Sequence, residues 1–210
     1  MKYLGYLISE DGIAVDSSKI EAVTSYPQPT NVKELRGFLG LANYYRRFVQ
    51  GFASIAHPLY QLTSKNAKGF DWTPHCQQAF DQLKQLLVSP PILAYPRFEI
   101  PFVVHTDASD HAIGGVLSQI QDGKERVIAY FSRQLGKAQR NYSTVEREAL
   151  AVVSAIQEFY PYLYGFHFDL YTDHNPLVSL KTVKDYGGRA SRWLLLSQQF
   201  QFTVKYNPPG

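Results

Sequence analysis

The chain has 210 residues, enough for one large domain or two small ones. Hydrophobic residues make up 45% and aromatic residues 14%, which supplies a core and excludes a disordered composition. The net charge of +3 excludes a broadly polycationic binder, so any nucleic-acid contact has to come from a local basic face.

The opening run, MKYLGYLISEDGIAV, reads as a β-hairpin turning at Glu10-Asp11-Gly12, and it lacks the apolar region and cleavage site of a signal peptide. Three helices follow. Ser18 with Glu21 has capping-box spacing before KIEAVTSY, which Pro27 and Pro29 stop. Asn31 with Glu34 repeats that spacing before VKELRGFLGLANYYRRFV. There Val32, Leu35, Phe38, Leu39, Ala42, Tyr45 and Val49 recur at helical intervals. Thr73-Pro74 starts a third helix whose stripe is Cys76, Phe80, Leu83 and Leu87. Cys76 is therefore a core residue. As the one cysteine, it also excludes an intrachain disulfide, as in a reducing compartment. No apolar run is long enough to span a bilayer, so no membrane partner is expected, and the location is expected to be intracellular, cytoplasmic or nuclear.

After the prolines at 90, 91 and 96 the pattern changes. FEIPFVVHTDAS, IGGVLSQI and RVIAYFSRQL read as an antiparallel meander with a turn at Gln121-Asp122-Gly123. A long helix, TVEREALAVVSAIQEFYPYLYG, precedes the strand FHFDLYTDH. Helices around 176–180 and over 191–200 and a last strand, FTVKY, complete the order β-β-β-α-β-α-α-β.

Asp107 ends the first strand of this second part and Asp173 ends the fourth. If those strands are neighbours, their ends bring two carboxylates together, and the long helix adds Glu146 or Glu148. These two glutamates flank its core stripe of Ala149, Val153, Ile156 and Tyr160 on opposite sides. Only Glu148 has the small Ala151 and Ala155 beside it. Converging carboxylates repel unless a divalent cation neutralises them, and Mg²⁺ prefers such oxygen ligands. Taken singly, each acid is ordinary turn or helix-start chemistry. Their order along these elements is the specific feature. Asp110 reads as a turn residue. His105, His167 and His174 have no cysteine at paired zinc spacing.

TDAS, NYSTVEREALAVV and YTDHNPL together resemble the ribonuclease H domain of gypsy-type LTR retrotransposon Pol polyproteins. YLGYLIS, KIEAVTSYPQPTNVKELRGFLGLANYYRRFV and FDWTPHCQQAFDQLKQLLVSPPILAYP resemble what precedes it there, the end of the reverse-transcriptase palm and the thumb or connection. The resemblance implies an α/β fold, a ribonuclease H-like mixed five-stranded sheet with flanking helices over 96–210, truncated at its C-terminus. A small, mainly helical thumb/connection region over 1–95 precedes it. It implies Asp107, Glu148 and Asp173 as catalytic metal ligands for Mg²⁺ or Mn²⁺ and hydrolysis of the RNA strand of an RNA–DNA hybrid; His174, beside Asp173, either assists product release or proton transfer or caps the next helix. The partners implied are that hybrid and the remainder of a reverse transcriptase polyprotein. A fourth acid of the family has no counterpart before the chain stops at KYNPPG, and the polymerase signature of a tyrosine and paired aspartates is absent. No polymerase activity is expected from this piece. A co-opted fragment acting as a nucleic-acid or protein binding module is the alternative.

Lys33, Arg36, Arg46 and Arg47, with Tyr44, are the candidate nucleic-acid contacts: cations for phosphates, and a ring to stack on a base or pack on a sugar. Tyr45 shares this stretch but fits the buried stripe. Arg133, Arg189 and Arg192 with Trp193 are weaker candidates.

Overall fold

The computed structural model describes residues 1–64, 67, 69–172 and 198–206. Three short strands open the chain, β1 (Lys2–Tyr3), β2 (Tyr6–Ser9) and β3 (Gly12–Val15), paired antiparallel in that order. A single hairpin was expected, but a second turn occurs at Leu4-Gly5, where φ is 47° and 81°. Leucine rarely adopts this left-handed conformation, so the local sequence does not announce the turn. Gly12, at φ 136°, lies so close to Leu93 that a Cβ would sit 2.2 Å from its carbonyl oxygen. The missing side chain lets Ile13 and Leu93 exchange backbone hydrogen bonds of 2.8 and 2.9 Å.

The first helix, α1 (Ser17–Thr24), is capped by Asp16, not by Ser18 as its spacing suggested. The Asp16 carboxylate accepts from Ser18 N at 3.1 Å and from Lys2 Nζ at 3.0 Å. In α2 (Val32–Tyr44) the expected capping is present: Asn31 accepts from Glu34 N at 3.0 Å, and the Glu34 carboxylate accepts from Asn31 Nδ2 and Thr30 N at 2.8 Å each. Leu35, Phe38, Leu39 and Ala42 are its buried stripe. The helix was expected to run to Val49. It stops at Tyr44, and a 3-10 turn over Arg46–Phe48 follows. Here tertiary contacts override periodicity: Tyr44 stacks on Tyr6 at 5.5 Å, Tyr45 meets it edge-on at 5.9 Å, and Arg46 turns away to donate to the Ser132 carbonyl. Two helices too short to show a period, α3 (Phe52–Ile55) and α4 (His57–Leu62), come next. In α5 (Pro74–Val88), Thr73 caps Cys76 N, and Cys76, Phe80, Leu83 and Leu87 are buried as the stripe requires.

The second sheet has the order β6-β5-β4-β7-β8, formed by β4 (Phe102–Ala108), β5 (Ala112–Gln121), β6 (Lys124–Gln134), β7 (His167–Thr172) and β8 (Gln201–Tyr206). It is mixed. The first three strands form the expected meander, with Asp122 and Gly123 both at positive φ in the tight turn. The β7 strand runs parallel to β4, and β8 parallel to β7. One long helix was expected where α6 (Thr144–Glu158) and α7 (Tyr160–Leu163) are found, broken just before Pro161. Tyr160 leaves the predicted core stripe and is 45% exposed. The short helix expected around 176–180 lies outside the described residues. So does most of the one expected over 191–200, whose last three residues form a turn and bend.

The two faces of this sheet are covered differently. Val152, Ala155, Ile156 and Phe159 of α6 and its end pack on Phe102, Val104 and Leu117. Gly115 permits the close approach, since a Cβ there would lie 3.0 Å from that of Ala155. On the opposite face, Val127 and Tyr130 of β6 pack against the cluster of Phe38, Phe48, Leu59 and Leu83 from the helical part. Ala53 N donates to the buried Ser132 Oγ at 3.0 Å across that contact.

Candidate active site

Asp107 stands near the end of β4, exposed, directly opposite Gly114 of β5, which is in turn opposite Ser132 of β6. Directly opposed residues share a face, so Asp107, Gly114 and Ser132 form a row on the face that the helical part partly covers. Asp107 borders a cavity of about 120 Å³ lined also by Gln50, Gly51, His105, Gly114 and Val116. Sequence alone did not single out Gln50 or Gly114. Their juxtaposition with Asp107 is tertiary, and no local pattern encodes it.

The two helix glutamates separate clearly. Glu146 completes a capping box: its carboxylate accepts from Ser143 N at 2.9 Å and Ser143 Oγ at 3.0 Å, and Ser143 Oγ accepts from Glu146 N at 3.3 Å. Glu148 is 2% exposed. Its neighbours Ala149 and Leu150 pack in one cluster with Ile113 and Ala108, the residue after Asp107. Glu148 and Asp107 therefore belong to the same end of the sheet, Glu148 on the helix over one face and Asp107 on the other. Asp110 is held elsewhere. It pairs with Arg147, whose guanidinium keeps the Asp110 carboxyl below the usual carboxylate range.

Asp173 and His174 lie outside the described residues. The strand leading to them is described: Thr172 is buried at the end of β7, and Tyr171 is opposite His105. Asp107 and Asp173 are separated in sequence by the same offset as each β4–β7 pair. Among the described residues, no three His, Cys, Asp or Glu side chains gather closely enough to hold an ion. The donor types at this sheet end are carboxylate oxygens, which fit Mg²⁺ or Mn²⁺ and not a thiolate-bound metal. The histidines have other partners. His105 Nε2 lies 3.2 Å from Glu125 Oε1 and its ring stacks on Tyr171 at 4.9 Å, while His167 Nε2 lies 3.0 Å from Thr203 Oγ1.

The expected nucleic-acid contacts are not equivalent. Lys33 and Arg36 are exposed on α2, and Arg36 Nη2 donates to Thr63 O at 3.3 Å. Tyr44 is half-exposed, but its hydroxyl donates to Leu4 O at 2.7 Å. Arg46 is a structural tie: it donates to Asn43 Oδ1 at 3.0 Å and to Ser132 O, and its guanidinium lies 5.5 Å over the Phe52 ring. Arg47 is half-buried, with its Nε buried and lacking a hydrogen-bond partner. Arg133 donates to Gln139 Oε1 at 3.0 Å, and its burial lowers its pKa from the ordinary arginine value. Arg189, Arg192 and Trp193 lie outside the described residues.

Residues 72–170 match the family described as the RNase H-like domain found in reverse transcriptase. The chain is 40% identical to the retrovirus-related Pol polyprotein from transposon opus of Drosophila melanogaster, over 99% of this chain and 22% of that protein. It is 39% identical to the Pol polyprotein from transposon 412 of the same fly, over 97% of this chain and 16% of that protein. The transposon Tf2-3 polyprotein of Schizosaccharomyces pombe is also 39% identical, over 99% of this chain and 16% of that protein. The chain belongs to the retrotransposon Pol polyprotein family. Within these Pol proteins it spans only 16–22% of the length. Its fold is shared with a foamy viral protease–reverse transcriptase in complex with RNA/DNA hybrid, at a TM-score of 0.81 and 24% identity over 99% of this chain and 29% of that one. A foamy viral protease–reverse transcriptase in complex with dsDNA matches at a TM-score of 0.78 and 21% identity, over the whole chain and 45% of that one. The five-stranded mixed sheet with flanking helices is thus the ribonuclease H-like fold expected for this Pol segment.

Proposed function

We propose that this chain is the ribonuclease H-bearing piece of a retrotransposon reverse transcriptase and hydrolyses the RNA strand of RNA–DNA hybrids. One observation carries the reading: Asp107 and Glu148, far apart in sequence and on different elements, are brought to one end of the sheet. The division at residues 95 and 96 into thumb/connection and ribonuclease H-like parts belongs to the same proposal, as does an intracellular location, cytoplasmic or nuclear. So does the absence of polymerase activity from these residues.

Asp107, Glu148 and Asp173 would hold Mg²⁺ or Mn²⁺, which when bound supplies charge neutralisation and activation of water for attack on a phosphodiester. The chain's own part is to fix the carboxylates in place. Asp107 is anchored by a strand paired on both sides. Glu148 is fixed by the packed first half of a helix that a capping box pins. His174 would serve proton transfer or product release. Lys33, Arg36 and Arg47 would contact phosphates beyond the cutting site, and shape and 2′-hydroxyl contacts would select the hybrid.

The test is a labelled RNA–DNA hybrid incubated with the chain in Mg²⁺ or Mn²⁺ beside Asp107→Asn. Cutting of the RNA strand by the wild type is expected, with a loss of at least about a hundredfold in the variant. Equal cutting by both sinks the proposal. The alternative is a co-opted fragment that serves as a nucleic-acid or protein binding module. Hybrid binding without cutting in either metal would select it.

A further inference from the structure

Gly114 is a glycine that the fold itself does not require. It has no positive φ, and a Cβ on it would meet only the Phe131 carbonyl oxygen, at 3.4 Å, an ordinary contact. Its neighbour differs: a Cβ on Gly115 would press on Ala155 at 3.0 Å and on His105 O at 3.3 Å. Packing accounts for Gly115 and leaves Gly114 unexplained. A strand-interior glycine weakens the strand, and one reason for it is the close approach of a ligand or of another backbone; here only the Phe131 carbonyl oxygen of the sheet itself comes within 4 Å of the Cβ position, which leaves room for a ligand. Gly114 is directly opposite Asp107 and forms part of the wall of the 120 Å³ cavity beside it.

The other wall comes from outside the sheet. Gln50 and Gly51 precede α3, and Gly51 takes a left-handed φ of 67° with open space where a Cβ would stand. Gln50 is exposed and carries a carboxamide, which both donates and accepts hydrogen bonds. A ribose 2′-hydroxyl needs such a complement, and a deoxyribose offers nothing to it. The cavity is of the size of a sugar edge and a few waters, far short of a duplex.

We propose that Gln50, Gly114 and Asp107 form a sugar-binding notch in which the helical part of the chain contacts the RNA strand beside the cleavage site. This rests on the ribonuclease H reading for the identity of the ligand, but it adds a contact supplied by the thumb-like part and a reason for the glycine. Gly114 lets the strand's backbone come against the sheet, and Gln50 closes over it from the other side.

The experiment is hybrid binding in EDTA, where no cutting occurs, with the full chain. A labelled RNA–DNA hybrid is compared with a DNA duplex of the same sequence, for the wild type, Gly114→Ala and Gln50→Ala, with a thermal melt of each. The expected result for Gly114→Ala is an unchanged or slightly raised melting temperature and hybrid affinity lowered about tenfold. Gln50→Ala lowers hybrid affinity more than duplex affinity and also leaves the melt unchanged. Gln50 is exposed, so its variant decides the matter if Gly114→Ala fails to fold. Wild-type affinity in the variants overturns the inference, and so does a wild-type chain that binds no hybrid. A chain that binds the hybrid with these variant effects yet never cuts it in Mg²⁺ or Mn²⁺ keeps the notch and loses the cleavage reading. A chain that cuts while both variants bind normally does the reverse.

Discussion

Glu146 and Glu148 sit two residues apart on one helix and serve opposite ends. Glu146 is spent on the helix start, where its carboxylate accepts from the Ser143 backbone and hydroxyl. Replacing it with alanine removes half of a capping box, and the expected cost is ~1 kcal/mol of stability in urea denaturation, with hybrid cleavage retained in the folded fraction. Glu148 is buried against the sheet end. Glu148→Gln keeps the size and shape of the side chain and removes its charge, so it is expected to stay folded and to lose cleavage. The two measurements together assign the roles: cleavage lost in Glu146→Ala at full stability, with Glu148→Gln still active, would exchange them. The spacing of the sequence left this choice open, because both glutamates flank the stripe. The Ser143 cap engages Glu146, and Glu148 is accordingly the glutamate proposed as a metal ligand.

At the scale of elements, the contact between α4 and the β4–β5 turn contains a titratable pair. The rings of His57 and His111 stack with centroids 4.6 Å apart and planes 6° from parallel. Gln61 Nε2 lies 3.1 Å from His57 Nε2, and His57 Nδ1 is buried without a hydrogen-bond partner. Burial lowers the His57 pKa from its ordinary 6.5, and the charges of His111 and Arg140 lower it further. Asp110 and Arg147, paired with each other, are the other charges at this turn. With the folded pKa depressed, the unfolded chain takes up the proton more readily, so this stability is present above pH 6.5 and is lost as pH falls from there through the folded value. Melting temperature is expected to drop across that interval, and to drop less in His57→Phe, which keeps the stacked ring and cannot titrate. Asp110, also depressed, loses its contribution only from its ordinary 3.8 downward, which separates the two effects. An identical pH dependence in His57→Phe would mean that the stack is not the sensor.

The same element scale shows what was legible in the sequence. The capping of α2 and α5, the stripe of α5 and the β4–β5–β6 meander were readable because each is written in residues close in sequence. The Leu4-Gly5 turn, the early end of α2 and the short helices α3 and α4 were not, because they answer to Tyr6, Ser132 and the sheet face they meet. The candidate site divides in the same way. Asp107 and Glu148 could be named from their elements and from the family resemblance, whereas Gln50 and Gly114 acquire a role only once the helical part lies against β5.

The molecule as a whole is bound together more tightly than two domains in series would be. Ile13 pairs with Leu93, and Ala94 N donates to Val127 O at 2.8 Å, so the link between the sheets is itself hydrogen-bonded to both. The Gln119 side chain accepts from Arg97 N at 2.9 Å and donates to Arg97 O at 2.7 Å and Ile100 O at 2.9 Å. Gln121 donates to Tyr95 O at 2.8 Å, and the Tyr95 hydroxyl reaches back to Ser9 O at 3.0 Å. Val127, Tyr130 and Ser132 face the helical part, with Ser132 Oγ buried under Ala53 N. Removing residues 1–95 would therefore uncover Val127 and Tyr130 of β6 and expose polar groups that now have partners, Ser132 among them. Each large apolar side chain so exposed loses ~1.5–3 kcal/mol of burial, on a total stability of only ~5–15 kcal/mol. The intact chain is expected to melt in one transition, and the 96–210 piece to bind a hydrophobic dye and aggregate. If that piece is instead monomeric, with amide exchange in β5 and β6 as slow as in the intact chain, the parts are independent. The notch beside Asp107 would then have no fixed second wall. A single transition implies that Gln50 is carried to Asp107 by the fold and needs no substrate to bring it there.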